Sequence, residues 1–179
     1  PWTSTQELPY DPKKPLPKGG RVAVSLIINY EEGSEYAHPN GDGRNDGMTE
    51  SLYAMDPQYR DLCAESVYEY GSRVGIWRLE RLFSARNIPL TFFASAVALE
   101  KNRDVAAWIV EKGHEPCSHG WRWEETWKLS RDEEADHIRR AIASFEETCG
   151  QRPLGWYCRY GASVNTRELL VEEGGFEYD

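Results

Sequence analysis

Three short clusters in this chain gather residue types that could do chemistry. The first is Asn29-Tyr30-Glu31-Glu32-Gly33, where two carboxylates stand side by side after a run of β-branched residues. Neighbouring side chains of an extended segment point to opposite faces, so Glu31 and Glu32 converge only if the turn at Gly33 folds them together. Convergence would raise one carboxyl's pKa and suit it to proton transfer. Left apart, such a pair is an ordinary solvated acidic loop. The second cluster runs from Cys117 to Glu125 and holds His119, Arg122, the indoles of Trp121 and Trp123, and the carboxylates of Glu124 and Glu125. That mixture can stack on a small planar polar molecule and hydrogen-bond to its edge. Its bland alternative is a structural histidine among core or interface tryptophans. The third is Trp156-Tyr157-Cys158-Arg159-Tyr160-Gly161, whose Arg159 could bind a carboxylate or position a base, or could be a surface arginine.

These clusters need elements to hold them, and the hydrophobic pattern supplies candidates. Residues 21–29 (RVAVSLIIN) read as a buried parallel strand. Residues 33–70 read as a long polar insertion, with GDGRNDG at 41–47, too rich in glycine for a helix. Val74, Trp77, Leu79, Leu82 and Phe83 recur at helical spacing until Asn87 and Pro89. A strand at 90–94, a helix at about 104–112 ending at Gly113, and a strand at 114–117 follow. Ser130 with Glu133 forms a capping-box pattern ahead of a helix of about five turns reaching Cys149, with Gly150 as its stop. Residues 153–158 read as a fourth strand. Asn165 with Glu168 repeats the capping logic before a short helix ending at Gly174, and 176–178 open a fifth strand.

Alternating β and α units predict an α/β fold with a parallel sheet and right-handed crossovers. All three clusters follow strand ends, where the sites of such folds lie. A TIM-like barrel and an open doubly wound sheet both fit this alternation. Five strands do not close an eight-stranded barrel, so an incomplete barrel is expected, with further residues beyond Asp179 in the native protein.

The chain has 179 residues and a formal net charge of −9, which argues against a nucleic-acid partner. No apolar stretch approaches the roughly 20 residues needed to span a bilayer. Residues 1–20 carry five prolines and no continuous apolar run, and read as an extended polar lead-in to a domain at 21–179. Four widely spaced cysteines, Cys63, Cys117, Cys149 and Cys158, fit reduced thiols, so a cytoplasmic location is expected.

Taken in chain order, Glu31-Glu32-Gly33, His119 with Trp123, and Arg159 resemble the three motifs of the polysaccharide deacetylase superfamily. Those motifs are a DDG, an HxxxH and an arginine-bearing strand. The resemblance implies a TIM-like deacetylase barrel with Glu31 as general base and with Glu32, His119 and Trp123 at the metal-binding positions. An indole does not ligate a metal, and one Glu with one His falls short of the three protein ligands of a typical catalytic zinc site. No metal or other cofactor is therefore expected. NYEEGSE (29–35), HGWRW (119–123), GWY (155–157), NTREL (165–169) and EEGGFEYD (172–179) resemble the branch containing metal-independent allantoinases. The segment around Arg159 carries one residue more than the bacterial allantoinases.

The resemblance implies hydrolysis of a carbon–nitrogen bond other than a peptide bond, with ring opening of allantoin or a related cyclic amide as the leading expectation. Without a metal to activate water, Glu31 would be the base, His119 the acid or oxyanion stabiliser, and Glu32 the orienting partner of His119. Asn29, Tyr30, Glu35, Arg122, Trp123 and Arg159 are the expected substrate-binding residues. Deacetylation of chitin or another N-acetylated sugar is the alternative enzyme reading. A non-catalytic carbohydrate-binding homologue is the reading from another class. Resemblance to oligomeric allantoinases implies self-association.

Overall fold

The computed structural model describes residues 19–47 and 55–179, so the polar lead-in lies almost wholly outside the described residues. Three parallel strands, β1 (Ile27–Tyr30), β2 (Thr91–Ala94) and β3 (Glu115–Ser118), pair in sequence order. The order continues beyond β3. Ser118 bridges Trp156, and Gly155 bridges Tyr178, both in parallel. Every crossover therefore advances the sheet in one direction, as in a barrel; a doubly wound sheet would reverse at a switch point. The chain forms an arc of an α/β barrel.

Between β1 and β2 the backbone is helical from Leu62 to Ser84, as α1 (Leu62–Tyr70), a π segment (Gly71–Gly75) and α2 (Ile76–Ser84). Asp61 caps α1 by accepting hydrogen bonds from the N–H groups of Cys63 and Ala64. This helix corrects the expectation of a polar insertion reaching residue 70. Only Ala64 of α1 is buried, so there was no apolar stripe for the pattern to reveal. After β2 come α3 (Ala96–Lys101) and α4 (Arg103–Glu111); the short α3 is another helix the pattern missed. The long helix α5 (Arg131–Cys149) begins with the expected Ser130–Glu133 capping box, and Gly150 ends it in the left-handed region at φ 67°.

Alternation along the strands sorts the two faces. Ile28, Tyr30, Phe92 and Ala94 are buried against the helices, where Phe92 meets Trp108 of α4 edge-on at 5.1 Å. Leu99, Ile109, Ile138 and Phe145 complete this core, each side chain contributing roughly 1.5–3 kcal/mol by burial. The first strand is shorter than expected. Val22 and Val24 are 77% exposed, because β1 is the sheet's edge and β2 offers it only four residues to pair with.

The expected fourth and fifth strands are likewise reduced to single bridges. Pro153 brings no N–H to a ladder. The last helix, α6 (Thr166–Glu173), is not capped by the Asn165 side chain as its sequence suggested. Asn165 already has helical dihedrals, and its N–H donates instead to Ser163 Oγ. The hydroxyls of Ser163 and Thr166 both donate to Glu134, a buried carboxylate of α5.

Candidate active site

The C-terminal ends of β1 and β3 set two titratable residues facing each other. Glu31 is the first residue past β1, and His119 is the first past β3. His119 is fixed from three sides. Its backbone N–H donates to Ala94 O at 2.8 Å, its Nδ1 meets Tyr157 O at 2.8 Å, and its Nε2 meets Glu31 Oε1 at 2.9 Å. A carbonyl oxygen can only accept, so Nδ1 carries a proton. Nε2 and the Glu31 carboxyl must then hold at least one more proton between them, as imidazolium with carboxylate or as imidazole with carboxylic acid. The His119 side chain is 2% exposed, while the Glu31 side chain keeps 19% exposure, enough to reach a small molecule at the strand ends.

A tight turn aims Glu31. Ser34 donates to Glu31 O from both its N–H (3.0 Å) and its hydroxyl (2.6 Å), and Gly33 takes φ 98°, a region a side chain would strain. Glu35 Oε2 accepts the Gly33 N–H, and Lys101 Nζ donates to Gly33 O and to Asn40 Oδ1. The turn separates the two adjacent glutamates. Glu32 folds back so that its Oε2 accepts the Glu31 N–H at 3.3 Å, and its side chain packs against Gly71 of the π segment, where a Cβ would collide with it. Burial pushes the Glu32 carboxyl up from its ordinary range, with the charge of Glu31 a lesser contribution. Glu32 makes no hydrogen bond to His119, which corrects its expected role as orienting partner; the Tyr157 carbonyl performs that role.

The two arginines are likewise engaged within the protein. Arg122 grips Asp42 with two hydrogen bonds (2.7 and 2.9 Å) and donates to Ser34 O and Glu35 O. Burial works to raise the Asp42 carboxyl, and Arg122, the Ala37 N–H and the charge of Arg44 together outweigh it, leaving a net lowering. Arg159, 5% exposed, donates to both oxygens of Asp46 (3.0 and 3.2 Å) and to Trp123 O (3.1 Å), with its guanidinium 3.6 Å above the Trp123 ring. Its Nε is buried without a partner among the described residues. The expectation that Arg122 and Arg159 face a substrate is corrected by these contacts: they tie the 34–46 loop to the strand ends. Tyr30 is also a core residue, 1% exposed, with its hydroxyl accepting from Asn102. Trp123 is buried beneath Arg159, and Glu35 belongs to the turn. Of the expected binding residues, Asn29 alone lies on an exposed strand face, two positions before Glu31.

Asp42, Asp46 and Tyr157 are the residues that sequence reading passed over. Two acids among the glycines of GDGRNDG, matched by two arginines in the later clusters, were the available signal for the first pair. A backbone carbonyl leaves no signal in side-chain types.

The positions that the superfamily uses for a divalent metal do not fit one here. Glu32 is turned toward Gly71, Trp123 offers an indole, and both ring nitrogens of His119 have partners. Among the described residues, no group of three or more His, Cys, Asp and Glu side chains could hold a metal ion.

Comparison with known proteins places this geometry among relatives. The polysaccharide deacetylase family model matches residues 61–178. A Schizosaccharomyces pombe protein named "Putative polysaccharide deacetylase" is 34% identical over 163 residues, covering 88% of this chain and 51% of that protein. Among solved structures, PuuE allantoinase is 40% identical with a TM-score of 0.84, covering 97% of this chain and 61% of that one. A probable polysaccharide deacetylase from Pseudomonas aeruginosa is 44% identical with a TM-score of 0.78, covering 85% of this chain and 51% of that one. The chain thus spans about half the length of the first of these relatives.

Proposed function

Because the chain belongs to the polysaccharide deacetylase family, we propose that it forms part of a hydrolase that opens allantoin or a related cyclic amide. The observation that carries this reading is the Glu31–His119 pair, with the imidazole held at Nδ1 by Tyr157 O and its Nε2 on Glu31 Oε1. In its charge-separated form the pair supplies a base and an acid side by side. Water attacks the amide carbon, giving its proton to the Glu31 carboxylate as the C–O bond forms. The C–N bond then breaks, the leaving nitrogen takes the His119 Nε2 proton, and the proton on Glu31 passes back to the imidazole. No step calls on Glu32 or Trp123, and His119 acts through its Nε2 proton. The likeness to PuuE allantoinase across nearly the whole chain supports a small cyclic substrate.

A deacetylase of N-acetylated sugars is the second reading. It is favoured by the curated relatives, among them a Helicobacter pylori peptidoglycan deacetylase that is 30% identical over 111 residues, covering 62% of this chain and 38% of that protein. One experiment separates the two: ring opening of allantoin and deacetylation of a chitin oligomer, each assayed after chelator treatment and again with zinc or cobalt added. Undiminished allantoin turnover in chelator supports the first reading. Deacetylation that returns only with metal would replace it with the second.

Among the described residues no helix is long and apolar enough to cross a membrane. The four thiols are free, which supports the cytoplasmic location.

A further inference from the structure

Tyr160 stands in a conformation that tyrosine rarely adopts. Its φ is 60°, and the N–H of Gly161 donates to Arg159 O at 2.7 Å, closing a three-residue turn around it. Such a turn is strained for any residue with a Cβ, and glycine would make it without that cost. A glycine is present, but one position later: Gly161 has no positive φ, and nothing lies within 4 Å of where its Cβ would be. The other positive-φ residue that is not glycine among those described is Asn87, a type that tolerates this region.

Burial does not explain why a tyrosine occupies the strained place. Its ring is 61% exposed, beside Trp127, which is 46% exposed, with centroids 6.4 Å apart and planes 35° from parallel. Trp123 lies behind them at 6.1 Å from Tyr160, and the Arg159 guanidinium is 4.9 Å from the Tyr160 ring. The Tyr160 ring is thus held open to solvent three residues from Tyr157, the residue whose carbonyl fixes His119. The chain between them spans no more than about 11 Å.

We propose that Tyr160 and Trp127 form a stacking platform for the ring of the substrate, and that Tyr160 determines ring specificity at the Glu31–His119 site. The location of this platform rests on the hydrolytic reading of that pair. The chemistry it recognises is a ring face, which either a flat cyclic amide or a sugar could present.

The test measures dissociation constants by calorimetry and melting temperatures for the protein and for Tyr160→Phe, Tyr160→Gly and Trp127→Ala. Allantoin and chitotriose are the probes, and Glu31→Gln is present in every background so that neither is consumed. One probe binds, Tyr160→Phe keeps its affinity, and both Tyr160→Gly and Trp127→Ala weaken it about ten-fold. Tyr160→Gly also melts no lower than the parent, since glycine relieves the turn. Tyr160-dependent binding of allantoin assigns the platform to a cyclic amide, and of chitotriose to a sugar. Unchanged affinity in Tyr160→Gly, a melting temperature several degrees lower, or no binding of either probe would overturn the proposal. A probe that is bound through Tyr160 yet never cleaved when Glu31 is restored leaves the platform standing and removes the hydrolase.

Discussion

The Glu31 carboxylate and the His119 imidazole, 88 residues apart in the chain, meet at 2.9 Å through an imidazole whose other nitrogen is occupied by a backbone carbonyl. Glutamine at position 31 can still donate an N–H to Nε2, so the contact survives while the base is lost. Glu31→Gln should therefore keep the circular dichroism spectrum and lower kcat by about 10²- to 10⁴-fold. Full activity in that variant would remove Glu31 from the mechanism.

Asp46 and Arg159 form a pair with side chains 10% and 5% exposed. Removing the carboxylate leaves a buried guanidinium without its counter-charge, so Asp46→Ala should cost about 3 kcal/mol, seen as a shift in denaturant midpoint. A loss under about 1 kcal/mol would mean that water reaches Arg159 and replaces the pair.

Burial raises the Glu32 carboxyl, so the folded state holds that proton more tightly than the unfolded chain does. Ionising Glu32 then opposes folding above its folded-state pKa, and the penalty disappears as pH falls below the unfolded value. Glu32→Gln should melt above the parent at pH 8, with the gap closing below about pH 4. Turnover should stay near the parent's, since Glu32 packs on Gly71. A large loss of kcat would restore Glu32 to the catalytic machinery.

Replacing the indole alone should not create a metal site. Trp123→His returns one ligand type, but Glu32 still faces the π segment and both His119 nitrogens remain engaged. Elemental analysis of chelator-stripped Trp123→His, re-exposed to zinc, should find no more metal than in the parent. Stoichiometric zinc would show that Glu32 swings back.

Glu31 could be found in the sequence because it stands immediately after a strand with a clear apolar pattern, and His119 because it follows a short strand in a cluster of indoles, an arginine and carboxylates; strand ends are where α/β folds place chemistry. The long helix α5 was legible for a different reason: Ser130, Glu133 and Gly150 mark its ends through local hydrogen bonding and dihedral preference. Helix α1 was not legible, because a helix that buries little more than Ala64 has no hydrophobic period. Arg122 and Arg159 were misread as substrate ligands because their partners, Asp42 and Asp46, lie 80 and 113 residues away. Sequence order carries no mark of such contacts.

The pairing of the strands also bears on the order in which the site is assembled. Thr91 pairs with Glu115, 24 positions later, whereas Ile27 pairs with Thr91 across 64 positions. Closing the longer segment costs about 0.9 kcal/mol more in chain entropy, so β2 and β3 are expected to zip before β1 docks. His119 would then be in place first and Glu31 delivered to it last, which makes the reactive pair a product of the slowest contact to form. Pulsed hydrogen exchange during refolding would read this as amides of β2 and β3 gaining protection ahead of those in β1.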